Sequence, residues 1–139
     1  DSVEAILAEQ VWEHLTEEEG ALALTLCNKY LKPGGHLRIA VPDGYFPDPD
    51  YIRYVEPDGV GPGADDHKVL YNYQSLTRAV QSAGLEANLL EYFDEHSRFH
   101  YTEWDPRDGM VHRSMRFHPD NKDGELRYTS LILDARKPG

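Results

Sequence analysis

The first apolar run, VEAILAEQV, carries charge only at Glu4 and Glu9. That pattern predicts a strand from Val3 to Glu9, covered on both faces as strands of a parallel sheet are. The following stretch, LTEEEGALALTLCNKYLKPGG, predicts a helix over 16–31. Thr16 is its N-cap and Glu19 the capping-box partner; acids fill the first turn, Lys29 and Lys32 lie near the end, and Gly34 or Gly35 is the stop. Leu22, Leu26, Tyr30 and Leu31 share roughly one helical face. HLRIAVP predicts the second strand, so strand, helix and strand form a right-handed βαβ crossover with parallel strands.

From Asp43 to Val69 the pattern is lost in a Pro- and Gly-rich segment, DGYFPDPDYIRYVEPDGVGPGADDHKV. A loop of this length, spanning about 43–71, is uncommon in a compact domain and is usually functional or mobile. NYQSLTRAVQSAGL predicts a second helix, with Leu76, Ala79, Val80 and Ala83 at helical spacing and Gly84 as the stop. EANLLEYFDE predicts a strand, HYTEW a short one, VHRSMRF alternates weakly, and LRYTSLILDARK is the last clear strand. PDNKDGE before it supplies the turn chemistry that joins antiparallel strands.

With 139 residues the chain suits a single domain, 1–139, able to bury a real core. No apolar run approaches the roughly 18 residues of a membrane span, and no basic-then-apolar leader is visible. Lone Cys27, in an apolar helical pattern, excludes an internal disulfide and is expected to be a small buried residue; a cytoplasmic location follows. A net charge of −11 argues against nucleic acid as a partner. The charge is uneven, and six of the eight basic residues beyond position 97 are Arg, so a carboxylate or phosphate ligand is expected to meet the C-terminal part.

The ordered series AEQVWEHL, LKPGGHLRIAVPD, SLTRAVQSAGLEANLLEYFD and YTSLILDARKP resembles the C-terminal half of class I S-adenosylmethionine-dependent methyltransferases, and GMVHRSMRF with TSLILDARKP resembles a bacterial subgroup of predicted methyltransferases. The resemblance implies an α/β fold: a partial Rossmann-like sheet of about four main strands, with helices packed on its faces and antiparallel closing strands. In that family the sheet order is 3-2-1-4-5-7-6, the seventh strand is antiparallel, and the cofactor lies across the carboxyl ends of the strands. The family's glycine-rich cofactor turn and the acidic residue that holds the ribose have no counterpart in this sequence. The resemblance therefore implies methyl transfer with S-adenosylmethionine by a fold truncated at its N-terminal side and inactive as an isolated chain. The competing expectation is a non-catalytic remnant that binds a partner or dimerises. Val3 to Glu9 would be left with an uncovered edge, a template for association, so a homodimer through that strand and helix 16–31 is expected.

The resemblance assigns Glu9, Gln10 and His14, after the first strand, to the cofactor. Asp43 ends the second strand, where a carboxylate can orient or deprotonate a small-molecule substrate; in Pro-Asp-Gly it is equally suited to capping a turn. His67 and Tyr71 in ADDHKVLYNY are candidates for a substrate-facing loop, with His67 a general base, and Arg113 and Arg116 for anion binding. Metal is not expected. Asp65, Asp66 and His67 are adjacent in sequence and rarely converge on one ion without help from elsewhere, and His96 and His100 lie outside a helical pattern. The DDH cluster alone would support a metal-dependent hydrolase.

Overall fold

The computed structural model describes residues 2–121 and 123–139. Its elements are β1 (Val3–Glu9), a 3-10 turn (Trp12–His14), α1 (Glu17–Tyr30), β2 (Leu31–Val41), α2 (Pro49–Val55), α3 (Tyr73–Ser82), β3 (Glu86–Phe93), β4 (Phe99–Tyr101) and β5 (Leu131–Arg136), with further 3-10 turns in the connections. The sheet runs β1-β2-β5-β3-β4. β1 and β2 are parallel, and β5 is antiparallel to both β2 and β3. This is the expected 4-5-7-6 arrangement, extended by the short hairpin strand β4.

Local signals account for the helix ends. Thr16 Oγ1 accepts from the Glu19 N–H at 3.2 Å while the Glu19 carboxylate accepts from the Thr16 N–H at 2.9 Å, closing the capping box. Asn72 and Ser75 make the same reciprocal pair for α3. The chain passes from α1 into β2 with no intervening coil, and Lys32–Gly35 bulge outward between the Val3–Leu31 and Ala5–His36 pairs. Gly34 has φ +83°, and a Cβ on Gly35 would lie 2.8 Å from the Glu4 carbonyl, so both glycines are required by this bulge.

Alternation along the strands divides the core. Leu37, Ile39 and Val41 of β2 join Leu131, Leu133 and Ala135 of β5 on one face, packed by Leu24 of α1 and by Leu76 and Val80 of α3. Ala40 and Ile132 point to the other face, packed with Leu90, Trp104 and Val111. Both long helices therefore lie on the first face. The second is covered by the irregular segment 102–130, which includes VHRSMRF; the weak alternation there forms no strand.

A β-bulge makes that covering possible. Leu89 pairs with Leu133, but Glu91 pairs with Ile132, so the extra residue turns Glu91 onto the same face as Leu90. Its buried carboxylate accepts from Trp104 Nε1 at 2.8 Å, the Met115 N–H at 2.9 Å and Thr129 Oγ1 at 2.5 Å. Beside it, Arg38 makes a bidentate pair with Asp134 at 2.7 and 2.9 Å and donates to the Asp105 and Gly109 carbonyls.

Three expectations change. Leu22, Leu26 and Tyr30 of α1 face outward, 61%, 43% and 49% exposed, because the small side of the helix, Gly20, Ala23 and Cys27, lets Leu24 reach the core. β1 is the outer strand, bonded to β2 alone among the described residues, and Leu7 is 45% exposed, so it is not covered on both faces. The 43–71 stretch is partly ordered as α2, capped by Asp48 with Pro49 at its start, because Pro is favourable in a first turn.

Glu91→Ala would leave three buried donors without an acceptor. A loss of about 3–5 kcal/mol is expected in urea unfolding; a loss below about 1 kcal/mol would show that segment 102–130 is held by packing alone.

Candidate functional site at the carboxyl ends of the strands

The parallel strands β1 and β2 end on the same side, and the segments that follow them build the candidate site. Glu9 closes β1; its carboxylate accepts from the Arg113 N–H at 2.8 Å and lies 3.6 Å from His112 Nδ1. Gln10 takes φ +60°, donates its own N–H to the Ala40 carbonyl, and reaches Ser130 Oγ at 3.0 Å with its side chain. The backbone next turns through Trp12–His14. Its Glu13 carbonyl accepts from the N–H groups of Lys68 and Val69, which ties this turn to the end of the long loop.

That tie brings His14 and His67 together, their rings edge to face with centroids 4.7 Å apart. His14 Nδ1 lies 3.3 Å from the Asp66 carbonyl, and His67 Nδ1 lies 2.5 Å from the Val55 carbonyl at the end of α2. Glu13, 1% exposed, lies beside them. Burial pushes its carboxyl above the usual range, against the pull of a backbone hydrogen bond and the charges of His14, His67 and Arg113.

Asp43 has an architectural setting. It is fully buried; Oδ1 accepts from the Tyr45 N–H at 3.0 Å and Oδ2 from the Phe93 N–H at 2.9 Å, joining the end of β2 to the end of β3. Burial raises its pKa to about 6 although both hydrogen bonds oppose the shift. Tyr71 is also buried. Its carbonyl accepts from the Gly44 N–H and its hydroxyl abuts Gly20 at the start of α1, where burial first, then the charges of Glu17 and Glu13, raise its pKa.

Arg113 lies apart from Asp43 in setting, on the wall of an open cleft of about 530 Å³. Tyr51, Tyr54, Tyr128 and His118 supply its aromatic lining, Arg113 and Arg127 its cations, and Asp48, Asp50 and Asp120 its acids. Tyr51 accepts from the Asp43 N–H, and Tyr128 lies three residues before β5, so the cleft opens over the carboxyl end of β2. Arg116 is elsewhere, stacked 4.6 Å from Phe117 and 5.3 Å from Trp104. His100 pairs with Asp94 at 2.8 Å and stacks on Tyr92.

The structure thus joins Glu9 to Arg113 and His14 to His67, and sets Gln10, Asp43 and Tyr71 among backbone and side-chain partners within the fold. Glu13 and the tyrosines of the cleft were absent from the sequence-derived set. Glu13 stands beside His14 after the first strand, and its burial and the bonds from residues 68 and 69 to its carbonyl arise only in the folded chain.

The comparisons bear on the fold. No protein-family model and no curated protein matches the sequence. Among solved structures, an S-adenosylmethionine-dependent methyltransferase from Archaeoglobus fulgidus aligns over 98% of this chain and 60% of its own, with TM-score 0.54 and 16% identity. One from Mesorhizobium loti aligns over 99% and 62%, with TM-score 0.55 and 14% identity. The chain has a class I methyltransferase-like fold. It spans about three fifths of the length of those two neighbours. The [4+2]-cyclase SpnF matches it as well, over 99% of this chain and 50% of its own, with TM-score 0.52 and 17% identity. A fold shared with a cyclase does not fix the reaction. Among the described residues, no helix is long and apolar enough to cross a membrane.

Asp43 offers a test of the site's electrostatics. Its folded pKa of about 6 lies above the ordinary value of about 3.9. The folded state therefore binds this proton more tightly. The stability contributed is full below pH about 4 and is lost, by about 3 kcal/mol, as pH rises through 6. Carboxyl NMR should give a midpoint near 6, and Asp43→Asn should abolish this decline; a midpoint near 4 would refute the assignment.

Proposed function

We propose that this chain forms the acceptor-side half of an S-adenosylmethionine-dependent methyltransferase. The observation that supports the reading is the sheet order β1-β2-β5-β3 with β5 antiparallel: Glu9 ends β1, His14 and His67 lie in the segments after β1 and β2, and Arg113, in the β4–β5 connection, meets Glu9. In this reading the cleft receives a small acceptor bearing a carboxylate or phosphate, oriented by Arg113, with the tyrosines supplying aromatic walls. Asp43 supports the cleft through Tyr51, whose hydroxyl accepts from the Asp43 backbone N–H, whereas His67 and Tyr71 are not among the residues that line it.

The residues of this chain do not by themselves fit the cofactor. Glu9 is engaged by Arg113 and Gln10 by Ser130. No glycine-rich turn accompanies them. We therefore place the cofactor between this chain and elements that cover β1, and derive no chemical step through it. Binding is the direct test. The chain by itself should show no calorimetric affinity for S-adenosylmethionine tighter than about 1 mM, whereas the chain joined to a cofactor-binding half should bind at micromolar levels, the range usual for enzyme ligands. A folded, joined protein with no binding would reject the reading.

A second reading has its own support. Among the described residues the outer strand β1 pairs with β2 alone, beside exposed Leu7, and Leu22, Leu26 and Tyr30 form an apolar stripe on α1. A second copy could pair along β1 across a two-fold axis and bury that stripe. Light scattering should then give a dimer whose amides at residues 3–9 exchange slowly. A monodisperse monomer with fast exchange there would sink the dimer and leave the first reading standing.

A further inference from the structure

We propose that Glu13, His14 and His67 form a binding site for one divalent transition-metal ion of the zinc type. Their candidate ligand atoms all lie within 4.8 Å of one another. Two imidazoles and a carboxylate are a donor set suited to zinc and its first-row neighbours, and three protein ligands leave a fourth position for water or a substrate oxygen.

Independent observations point into the site. Glu13 Oε1 is buried and has no hydrogen-bond partner among the described residues, in a residue only 1% exposed. A buried carboxylate oxygen left in this state is costly, and a cation at the cluster would satisfy it. Glu13 Oε2 lies 3.9 Å from His14 Nε2, too far for a hydrogen bond. A tetrahedral ion with bonds of about 2.0–2.1 Å sets its ligand atoms roughly 3.3 Å apart, so closure requires inward movements of about 1 Å or less, within reach of small side-chain rotations.

The surroundings of the two imidazoles fit ligation. His14 Nδ1 faces the Asp66 carbonyl and, at 3.5 Å, its carboxylate; His67 Nδ1 faces the Val55 carbonyl. Both carbonyls accept hydrogen bonds, so each Nδ1 suits the N–H form and each Nε2 keeps its lone pair for a metal. Carbonyls and carboxylates commonly orient metal-binding histidines in this way. The scaffold is equally specific: the Glu13 carbonyl accepts from Lys68 and Val69, locking the two ligand-bearing segments together across 54 residues or more of chain. The sequence motif ADDH supplies one ligand, His67, and one orienting group, Asp66. The help it needed comes from Glu13 and His14.

The inference is independent of the methyltransferase reading, because it concerns binding alone. The test is titration of the 139-residue chain with cobalt(II) chloride, then zinc chloride, followed by calorimetry and visible absorption. One equivalent of cobalt should bind with ligand-field bands of low coordination number, and zinc should displace it. His67→Gln and the double variant His14→Gln/His67→Gln alter only partly exposed positions; each should weaken binding at least about 100-fold, the upper range for disturbing an orienting partner alone. Glu13→Gln should also lose the bands while circular dichroism shows a folded chain. His96→Gln and His100→Gln should leave binding unchanged. No stoichiometric binding, leaving water as the partner of Glu13, would overturn the site. Binding undiminished in the folded His14/His67 double variant would overturn it equally, showing the ion to be held elsewhere on this acidic surface.

Discussion

The buried carboxylate of Glu91 is the interaction on which the working side of this protein depends. A charge removed from water is tolerable only with its lone pairs occupied, and here three donors spread from Trp104 through Met115 to Thr129 occupy them. The donors come from one irregular segment that has no strand ladder of its own. Glu91 therefore does for segment 102–130 what main-chain pairing does for the sheet, with Arg38 and Asp134 adding a second anchor nearby. Arg113 lies two residues from one of these donors. Its backbone meets Glu9, its side chain lines the cleft, and its charge is felt at Glu13. The position of the cation is thus set by a carboxylate on the middle of β3.

The opposite face of the sheet follows simpler rules. Leu24, Leu76 and Val80 pack onto alternating residues of β2 and β5, and each fully buried aliphatic side chain contributes about 1.5–3 kcal/mol. This face needs no polar anchor. Its cost appears at the margin, where α1 turns Leu22, Leu26 and Tyr30 to solvent and β1, among the described residues, pairs with β2 alone. An outer strand beside an exposed apolar stripe is the kind of surface that favours association.

The chemistry of the strand ends reflects a general property of open α/β sheets. Parallel strands deliver consecutive segments to the same edge, so groups distant in sequence meet there without needing regular structure of their own. Glu9 meets residue 113, Gln10 meets Ser130, and the turn at 12–14 meets 67–69 in this way.

The sequence by itself determined the local grammar. The capping box at Thr16 and Glu19 and the periodicity of α3 rest on interactions a few residues long, whereas Gly34 and Gly35, read as a helix stop, form a bulge within β2, and the order of the strands in the sheet followed from the family resemblance. Only the tertiary structure decided which polar groups are buried and with whom. Alternation would place Glu91 on the same face as Leu89, yet the bulge turns it over. Helical spacing made Leu22, Leu26 and Tyr30 a face, yet small residues on the other side of α1 let that side pack inward. Glu13 gave no signal in the sequence; the fold buries it and brings residues 68 and 69 onto its carbonyl. In each instance the deciding contact comes from a segment remote in sequence, and burial, which sets the cost of an unpaired charge, exists only once both segments are in place.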